Sequence, residues 1–322
     1  MPKKTKEIIL VTGGAGFIGS YVCDRLLERG YGVICIDNLN LYYSSERKIK
    51  NIEHNFGNIN FKFFVMDIKN KDNIEQIFQK NKIHKIIHLA ARAGVRPSIE
   101  KPLLYGDTNV GGTLNLLELA RKYNVKNFVF ASSSSVYGKN KKIPFSEEDN
   151  VDFPISPYAA SKKACELFCY TYSHLYGLNV TCLRFFTVYG PRGRPDMAPF
   201  LFTKLISEGK SIKMFGDGNT KRDYTYISDV VDGIISALNK NLRFEIINLG
   251  NNKPVSLKEF ISIIEKVLGK KAKIKKEKIP EGDVPLTFAD IEKAKKLLDY
   301  NPKVSIEEGM KKFIEWYKTK EA

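Results

Sequence analysis

Short apolar runs alternate with amphipathic segments along the first 186 residues of the chain. Runs of strand type occupy residues 7–12, 31–37, 59–68, 85–90, 127–133 and 179–186. Between them, segments such as NVGGTLNLLELARKY place apolar residues at helical spacing. Strands that alternate with helices predict a parallel sheet with helices on both faces. We therefore predict an α/β fold with a Rossmann-type, doubly wound parallel sheet.

The alternation breaks after residue 190, where GPRGRPDMAPF reads as a loop. A helix over residues 201–208, a short strand near IKMFG and the amphipathic segments SLKEFISIIEKVLG and SIEEGMKKFIEWYK follow. We predict a cofactor-binding domain over residues 1–185, with a later segment near 222–250 returning to it. Residues 186–322 are expected to form mainly a smaller C-terminal substrate-binding domain.

Lysine dominates the charge of this 322-residue chain, which has a formal net charge of +16. The lysines are spread along the sequence, and the densest run, GKKAKIKKEK, has no interleaved aromatic residues. A solvated surface explains this pattern better than a nucleic-acid site does. We expect no nucleic-acid partner, although a positive field also suits an anionic small-molecule substrate.

The five cysteines form no CxxC pair, and their number is odd. This argues against a disulfide framework and a structural metal site, and favours a reducing, cytoplasmic location. The N-terminal apolar run ends at once in glycines, so it predicts a first strand and not a signal peptide. No stretch is long and apolar enough to suggest a membrane span.

The turn after the first predicted strand reads VTGGAGFIGS, with Gly13, Gly16 and Gly19 at GxxGxxG spacing. Such glycines permit a tight turn, close approach of a pyrophosphate and close packing of the following helix. Asp37 ends the next strand, where a carboxylate accepts bonds from an adenosine ribose and repels a 2′-phosphate. The pattern therefore favours NAD over NADP. Asp67, after the third strand, is placed to meet the adenine.

A possible proton-transfer pair lies in SPYAASKKACELF, where Tyr158 and Lys162 share one helix face. By spacing alone, YxxxK is common on ordinary helices. The serine run ASSSSVYG, however, lies at the carboxyl end of the fifth predicted strand, where open α/β sheets bind ligands. A nearby ammonium and a nicotinamide ring would stabilise a phenolate, and a serine would orient the substrate oxygen. Together these features predict proton removal coupled to hydride transfer.

These motifs, with HLAARAGVRPS, RFFTVYGPRGRPDMA and GDGNTKRDYTYISDVVDGI, resemble the extended short-chain dehydrogenase/reductase superfamily over almost the whole chain. Within it, the sequence is most similar to the nucleotide-sugar 4-epimerases. Among those it most resembles the UDP-glucuronate 4-epimerases, and FFTVYGPRGRPDMAPF carries this last step.

The resemblance implies roles for individual residues. Those expected to bind NAD are Gly13, Gly16, Phe17, Ile18 and Gly19 at the pyrophosphate, Asp37 and Asn38 at the ribose, Asp67 and Ile68 at the adenine, and Leu89, Ala90, Ala91 and Asn109 along the cofactor. Ser133 is the expected catalytic serine, Tyr158 the base and Lys162 its partner, with the last two also touching the cofactor. Arg222 and Asp283 are expected at the diphosphate and the uridine ribose of a UDP-sugar.

The serine tip distinguishes this sequence from related 4,6-dehydratases, which carry an acidic residue beside the catalytic hydroxyl. Ser134 and Ser135 cannot act as a carboxylic acid, but they can donate hydrogen bonds to a sugar carboxylate. Arg194 is a candidate to pair with that carboxylate, and Thr187 is a further donor. We therefore predict conversion of UDP-glucuronate to UDP-galacturonate through a 4-keto intermediate.

Other interpretations share much of this pattern. An epimerase for the UDP-glucose/UDP-galactose pair differs mainly in lacking an anion site, and a 3-epimerase would share most of these residues. A non-catalytic, nucleotide-sensing protein on the same fold has no need of Ser133, Tyr158 and Lys162 together. The family habit implies a homodimer formed through the helices near residues 109–123 and 158–176.

Overall fold

The computed structural model describes residues 7–278 and 284–321. Its strands, in chain order, are β1 (Ile8–Thr12), β2 (Gly32–Asp37), β3 (Phe61–Val65), β4 (Ile83–His88), β5 (Asn127–Ser133), β6 (Asn179–Phe185), β7 (Thr187–Tyr189), β8 (Ser211–Phe215), β9 (Lys221–Tyr226), β10 (Phe244–Leu249), β11 (Pro254–Ser256) and β12 (Lys273–Glu277).

The α-helices cover the sheet faces and form most of the C-terminal part. They are α1 (Phe17–Glu28), α2 (Ser45–Lys50), α3 (Lys71–Lys80), α4 (Val95–Glu100), α5 (Pro102–Tyr105), α6 (Gly112–Lys122), α7 (Pro157–Tyr176), α8 (Ala198–Ser207), α9 (Ile227–Asn239), α10 (Leu257–Leu268), α11 (Glu292–Leu298) and α12 (Ile306–Lys320). None of the helices within the described ranges is long and apolar enough to cross a bilayer.

Seven strands form one parallel sheet in the order β3-β2-β1-β4-β5-β6-β10. The first six have the order of a dinucleotide-binding sheet, so the predicted Rossmann-type fold is confirmed. Each of the six predicted strands is present, with ends shifted by at most a few residues. The seventh, β10, adds to the edge beside β6 and lies in the segment predicted to return.

Successive side chains of a strand point to opposite faces of the sheet, and both faces are buried under helices. Ile9 and Val11 of β1 belong to the apolar cluster on the side of α1 and α9, while Leu10 belongs to the cluster on the side of α3, α6 and α7. All seven residues of β5 are buried. A strand covered on both faces needs apolar residues at successive positions, which is the pattern of the sequence.

The C-terminal part contains two small sheets, β11-β9-β7 and β12-β8, and the helices α8, α10 and α12. The helix α10 packs against both α8 and α12. The apolar cluster of this part is continuous with the cluster under α1, since Ile9 and Phe313 belong to the same group. The division into domains at residues 185 and 186 stays a prediction.

A buried ion pair joins α7 to the sheet. Arg184 of β6 donates from Nε and Nη2 to the two carboxylate oxygens of Glu166, at 2.9 Å each, and both side chains are 1% exposed. The Ser132 hydroxyl at the end of β5 donates to Glu166 Oε1 at 2.6 Å. The pair therefore ties one face of α7 to two adjacent strands.

Glu166→Gln is expected to lower the free energy of unfolding by about 3–5 kcal/mol, because it leaves a buried guanidinium without its counter-charge. Urea denaturation measures this directly. The matched control is Glu308→Gln, which breaks a half-exposed pair with Lys312 and should cost less than about 1 kcal/mol. Equal losses in the two variants would contradict the structural role of the buried pair.

Candidate active site

The turn between β1 and α1 has the geometry that the glycine spacing predicts. Gly13 has a φ of +67°, and the amide groups of Gly13 and Gly14 donate to the carbonyl of Ile36 at the end of β2. A β-carbon added at Gly19 would lie 2.2 Å from the Gly13 carbonyl oxygen. The helix N-terminus therefore approaches the sheet edge closely only because glycine stands there, which fits a pyrophosphate site.

The residues predicted for the adenosine half lie together beyond β2 and β3. The Asp37 carboxylate accepts the backbone N–H of Leu39 at 2.9 Å, and burial raises the pKa of Asp37 above its ordinary value. The Asn38 amide donates to Asp67 Oδ2 at 3.0 Å. The two loops that follow these strands are thus linked by side chains, as a shared adenosine site requires.

A single cleft of about 420 Å³ runs along the carboxyl edge of the sheet, within the range of about 300–1,000 Å³ found for ligand sites. The predicted residues that line it are Gly13, Gly16, Phe17, Ile18, Gly19, Asp37, Asn38, Ile68, Leu89, Ala90, Ala91, Ser133, Ser134, Ser135, Tyr158, Lys162, Thr187 and Arg194. The cleft therefore joins the nucleotide turn to the predicted catalytic and carboxylate-binding groups.

Three of the predicted residues within the described ranges are not part of this lining. Asp67 contacts it through Asn38, and Asn109 lies behind it with its side-chain amide bonded to the Arg92 backbone and to Ser161. Arg222 lies on β9, where it contacts the Lys221 carbonyl. Asp283 lies outside the described residues. The roles proposed for these residues, like those proposed for the residues that line the cleft, stay predictions.

Helix α7 presents Tyr158 and Lys162 to the cleft from its first two turns. Ser156 caps the helix by accepting the N–H of Ala159. The ammonium of Lys162 donates to the Ala131 carbonyl of β5 at 2.6 Å. Since Tyr158 precedes Lys162 by four residues, it lies on the same helix face, and both side chains line the cleft together with Ser133.

The serine tip is itself ordered by local hydrogen bonds. Ser133 ends β5, and its hydroxyl accepts the N–H of Ser135 at 3.2 Å. Ser134 begins a turn of 3-10 helix directly after the strand, so Ser133, Ser134 and Ser135 run without a break across the end of β5. Within the described residues, the only carboxylate in the cleft lining is Asp37, which belongs to the predicted ribose site. No acid lining this described cleft is placed to expel a sugar hydroxyl near Ser133.

A buried histidine supports the cleft from behind Lys162. His88 Nδ1 lies 2.7 Å from the Thr12 hydroxyl, and His88 Nε2 lies 3.0 Å from that of Thr113. Because the Thr113 hydroxyl donates to the Asn109 carbonyl, it accepts from His88 Nε2–H. Burial, with a smaller effect of the Lys162 charge, lowers the pKa of His88 to about 3. His88 is therefore neutral at pH 7 and aligns its neighbours without adding charge.

Sequence reasoning missed several polar residues of the cleft, among them Tyr42, Tyr43 and Lys48. They belong to LYYSSERKIK, which follows β2, and the paired tyrosines just after Asp37 were the available signal. It also missed that Arg194 already carries a partner. The Arg194 guanidinium makes a two-point ion pair with Asp196 of its own loop.

This arrangement of turn, strand tip and Tyr–Lys helix is that of the extended short-chain dehydrogenase/reductases. Residues 10–313 match the family model described as GDP-mannose 4,6 dehydratase, and the chain belongs to that family. The family identified from sequence motifs is thus confirmed.

Individual relatives are similar over nearly the whole chain. The UDP-glucuronate 4-epimerase of Thermodesulfobacterium geofontis is 51% identical over 310 residues, covering 96% of this chain and 95% of that protein. The UDP-glucuronic acid 4-epimerase of Bacillus cereus, solved with UDP-glucuronic acid and NAD, matches with a TM-score of 0.92 and 39% identity, covering 97% and 99% of the two chains. The UDP-glucose 4-epimerase of Thermotoga maritima, solved with UDP-glucose, matches with a TM-score of 0.89 and 37% identity over the same shares.

Proposed function

We propose that this protein is an NAD-dependent isomerase that inverts carbon 4 of UDP-glucuronate and gives UDP-galacturonate. The observation that carries the proposal is the single cleft that joins the glycine turn to Tyr158, Lys162, the serine tip and Arg194. A sugar carboxylate in this cleft meets hydroxyl groups and a guanidinium, which favour it. Relatives named UDP-glucuronate 4-epimerase in bacteria and plants support the same activity.

The residues present fit NAD, because a side chain at Gly13 would meet the backbone of Ala90 and one at Gly19 would meet the Gly13 carbonyl. Only glycines let the turn bring the helix N-terminus to the place where a pyrophosphate would bind. The glycine turn would hold that group, Asp37 the ribose, and residues 89–91 the wall beside the nicotinamide. When bound, NAD supplies a reversible acceptor for the hydride of carbon 4. Net oxidation is zero, so one retained cofactor serves every turnover.

The proton is handled by the chain itself. Tyr158 takes the proton of the sugar 4-hydroxyl, and the Lys162 ammonium stabilises the phenolate that does so. Ser133 donates a hydrogen bond to the same sugar oxygen. After the flat 4-keto sugar has turned about its diphosphate, Tyr158 returns the proton to the oxygen on the inverted carbon.

A 4-keto hexuronate is a β-keto acid that tends to lose carbon dioxide, so its carboxylate needs restraint before and after the sugar turns. Ser134, Ser135, Thr187 and Arg194 are the proposed groups that hold it. Three of them offer neutral hydroxyl donors and one offers a positive charge, so the carboxylate keeps its charge while it is bound.

Purified protein incubated with UDP-glucuronate, without added NAD, is expected to produce UDP-galacturonate in proton NMR spectra. Tyr158→Phe should lower the rate by at least about 100-fold, because it removes the proton-transfer group. Tyr170→Phe, on the same helix and half-exposed, is the matched control and should keep the wild-type rate. Conversion of UDP-glucose alone would favour the neutral-hexose epimerase, and an unimpaired Tyr158→Phe variant would contradict the mechanism.

We also infer a homodimer formed through α6 and α7, with the neighbouring α5 at its edge. Apolar side chains with large exposed fractions share this surface, including Leu103 at 87%, Leu167 at 55% and Leu175 at 60%. Leu167 and Leu175 lie on α7, one of the two helices that the family habit implies, whereas Leu103 lies on α5, just before the other. All five cysteines are unpaired and buried, which supports the predicted reducing, cytoplasmic compartment.

Light scattering on the purified protein is expected to give twice the chain mass. The triple variant Leu103→Glu, Leu167→Glu and Leu175→Glu should give the monomer mass, because charges on an apolar interface oppose association. Ile59→Glu, at a position 92% exposed outside these helices, should leave the dimer intact. A wild-type monomer would contradict the inference.

A further inference from the structure

The guanidinium of Arg194 lies in the wall of the cleft, already paired with a carboxylate. Its Nε donates to Asp196 Oδ1 at 3.0 Å and its Nη2 donates to Asp196 Oδ2 at 2.5 Å. Arg194 lines the cleft, whereas Asp196 stands just outside the lining. The Arg194 side chain is 20% exposed and that of Asp196 is 40% exposed. The pair is therefore partly shielded from water, and its two charges interact more strongly than at an open surface.

Tyr42, in the loop between β2 and α2, contacts both members of this ion pair. Its hydroxyl donates to Asp196 Oδ2 at 3.2 Å and accepts from Arg194 Nη2 at 3.3 Å. Its ring centre lies 5.2 Å from the Arg194 guanidinium carbon. Burial raises the pKa of Tyr42, so its hydroxyl stays a donor at neutral pH. Asp196 is thus held in place by two groups and stays beside Arg194.

The charge of Asp196 persists under physiological conditions. Burial acts to raise the pKa of this carboxyl, but the hydrogen bond and charge of Arg194 outweigh burial and hold the pKa below its ordinary value. Asp196 and a hexuronate carboxylate are therefore the same kind of ligand for Arg194. A bound sugar carboxylate must share the guanidinium with Asp196 or displace it.

We propose that Asp196 is an internal competitor for Arg194, which loosens the grip on the sugar carboxylate so that the 4-keto sugar can turn. The inference rests on the proposed function and adds a residue that tunes it. Turning requires the carboxylate to leave Arg194. Without Asp196, that departure would leave a partly buried guanidinium with no counter-charge, which is costly. With Asp196 present, Arg194 exchanges one carboxylate for another.

The competition has a signature that a merely structural role does not produce. Loss of the Asp196 charge strengthens ground-state binding of a carboxylated sugar, while it raises the barrier to turning. A neutral nucleotide sugar has no carboxylate that competes with Asp196 for Arg194, so its binding stays unchanged. The effect also acts through Arg194, so it disappears when Arg194 cannot bind a carboxylate.

Asp196→Asn keeps the size and one acceptor of the side chain but removes its charge. In the protein as purified with its cofactor, the Kd and KM for UDP-glucuronate are expected to fall about three- to tenfold. This is the change in affinity expected when one partly exposed charge interaction is removed. The kcat should fall by a similar factor. The Kd for UDP-glucose should stay within about twofold of wild type. Calorimetry gives the Kd values, and NMR of the sugar signals gives the rates.

Three further variants make the comparison specific. Asp196→Glu keeps the charge and should restore wild-type values. Asp196→Ser, a second neutral variant, should show the same changes in Kd, KM and kcat as Asp196→Asn. It replaces Asp196→Asn if urea denaturation shows that the latter is poorly folded. In an Arg194→Gln background, Asp196→Asn should leave the Kd for UDP-glucuronate unchanged.

An unchanged or weaker affinity of the neutral variants for UDP-glucuronate, with UDP-glucose unaffected, would overturn the inference. Tighter binding with an undiminished kcat would overturn it as well, because turning would then not depend on release. If wild-type protein converts UDP-glucuronate and the variants behave like it, only this inference fails. If wild-type protein does not convert UDP-glucuronate, the proposed function fails and the inference fails with it.

Discussion

The seating of helix α7 on strand β5 is the constraint on which the catalytic cleft depends. Lys162 donates to the Ala131 carbonyl at 2.6 Å, and one turn later Glu166 accepts the Ser132 hydroxyl at 2.6 Å. Tyr158 lies one turn before Lys162 on the same face. Tyr158 and Ser133 therefore face one cleft through contacts that involve no ligand. The protein's own contacts thus position this helix face at the cleft, which suits the proposed proton transfer.

Two arginines in or near the cleft carry their own counter-charges, although the whole chain carries +16. Arg184 has Glu166 beneath the serine tip, and Arg194 has Asp196 at the cleft wall. A buried cation without such a partner would be destabilising. The overall charge of the chain thus says little about the chemistry of the site. In the proposed function, an anionic sugar is selected by the Arg194 guanidinium, whose charge is already partly used by Asp196, together with a row of neutral hydroxyl donors.

Most of the sheet and the cofactor turn could be predicted, because they depend on local patterns. Glycine spacing, strand alternation and the Tyr158–Lys162 interval are visible within a few residues of sequence. The missed features depend on loops that meet only in the folded chain, as Tyr42 and Asp196 do across 154 residues. The partner of Arg194 lies only two residues further along, in GRPDM. An ion pair at that spacing in a loop leaves no repeating pattern by which the sequence could reveal it. The Glu166–Arg184 pair likewise needs the sheet order to be known.

The origin of the hydrogen on the inverted carbon tests this account most directly. UDP-glucuronate is incubated with the protein in deuterated water, and the UDP-galacturonate formed is followed by NMR. In the proposed mechanism Tyr158 exchanges only the hydroxyl proton, and the carbon-bound hydrogen travels as a retained hydride, so the product should carry protium at carbon 4. Deuterium at that carbon would show inversion by removal and return of a proton at carbon, and would contradict the account.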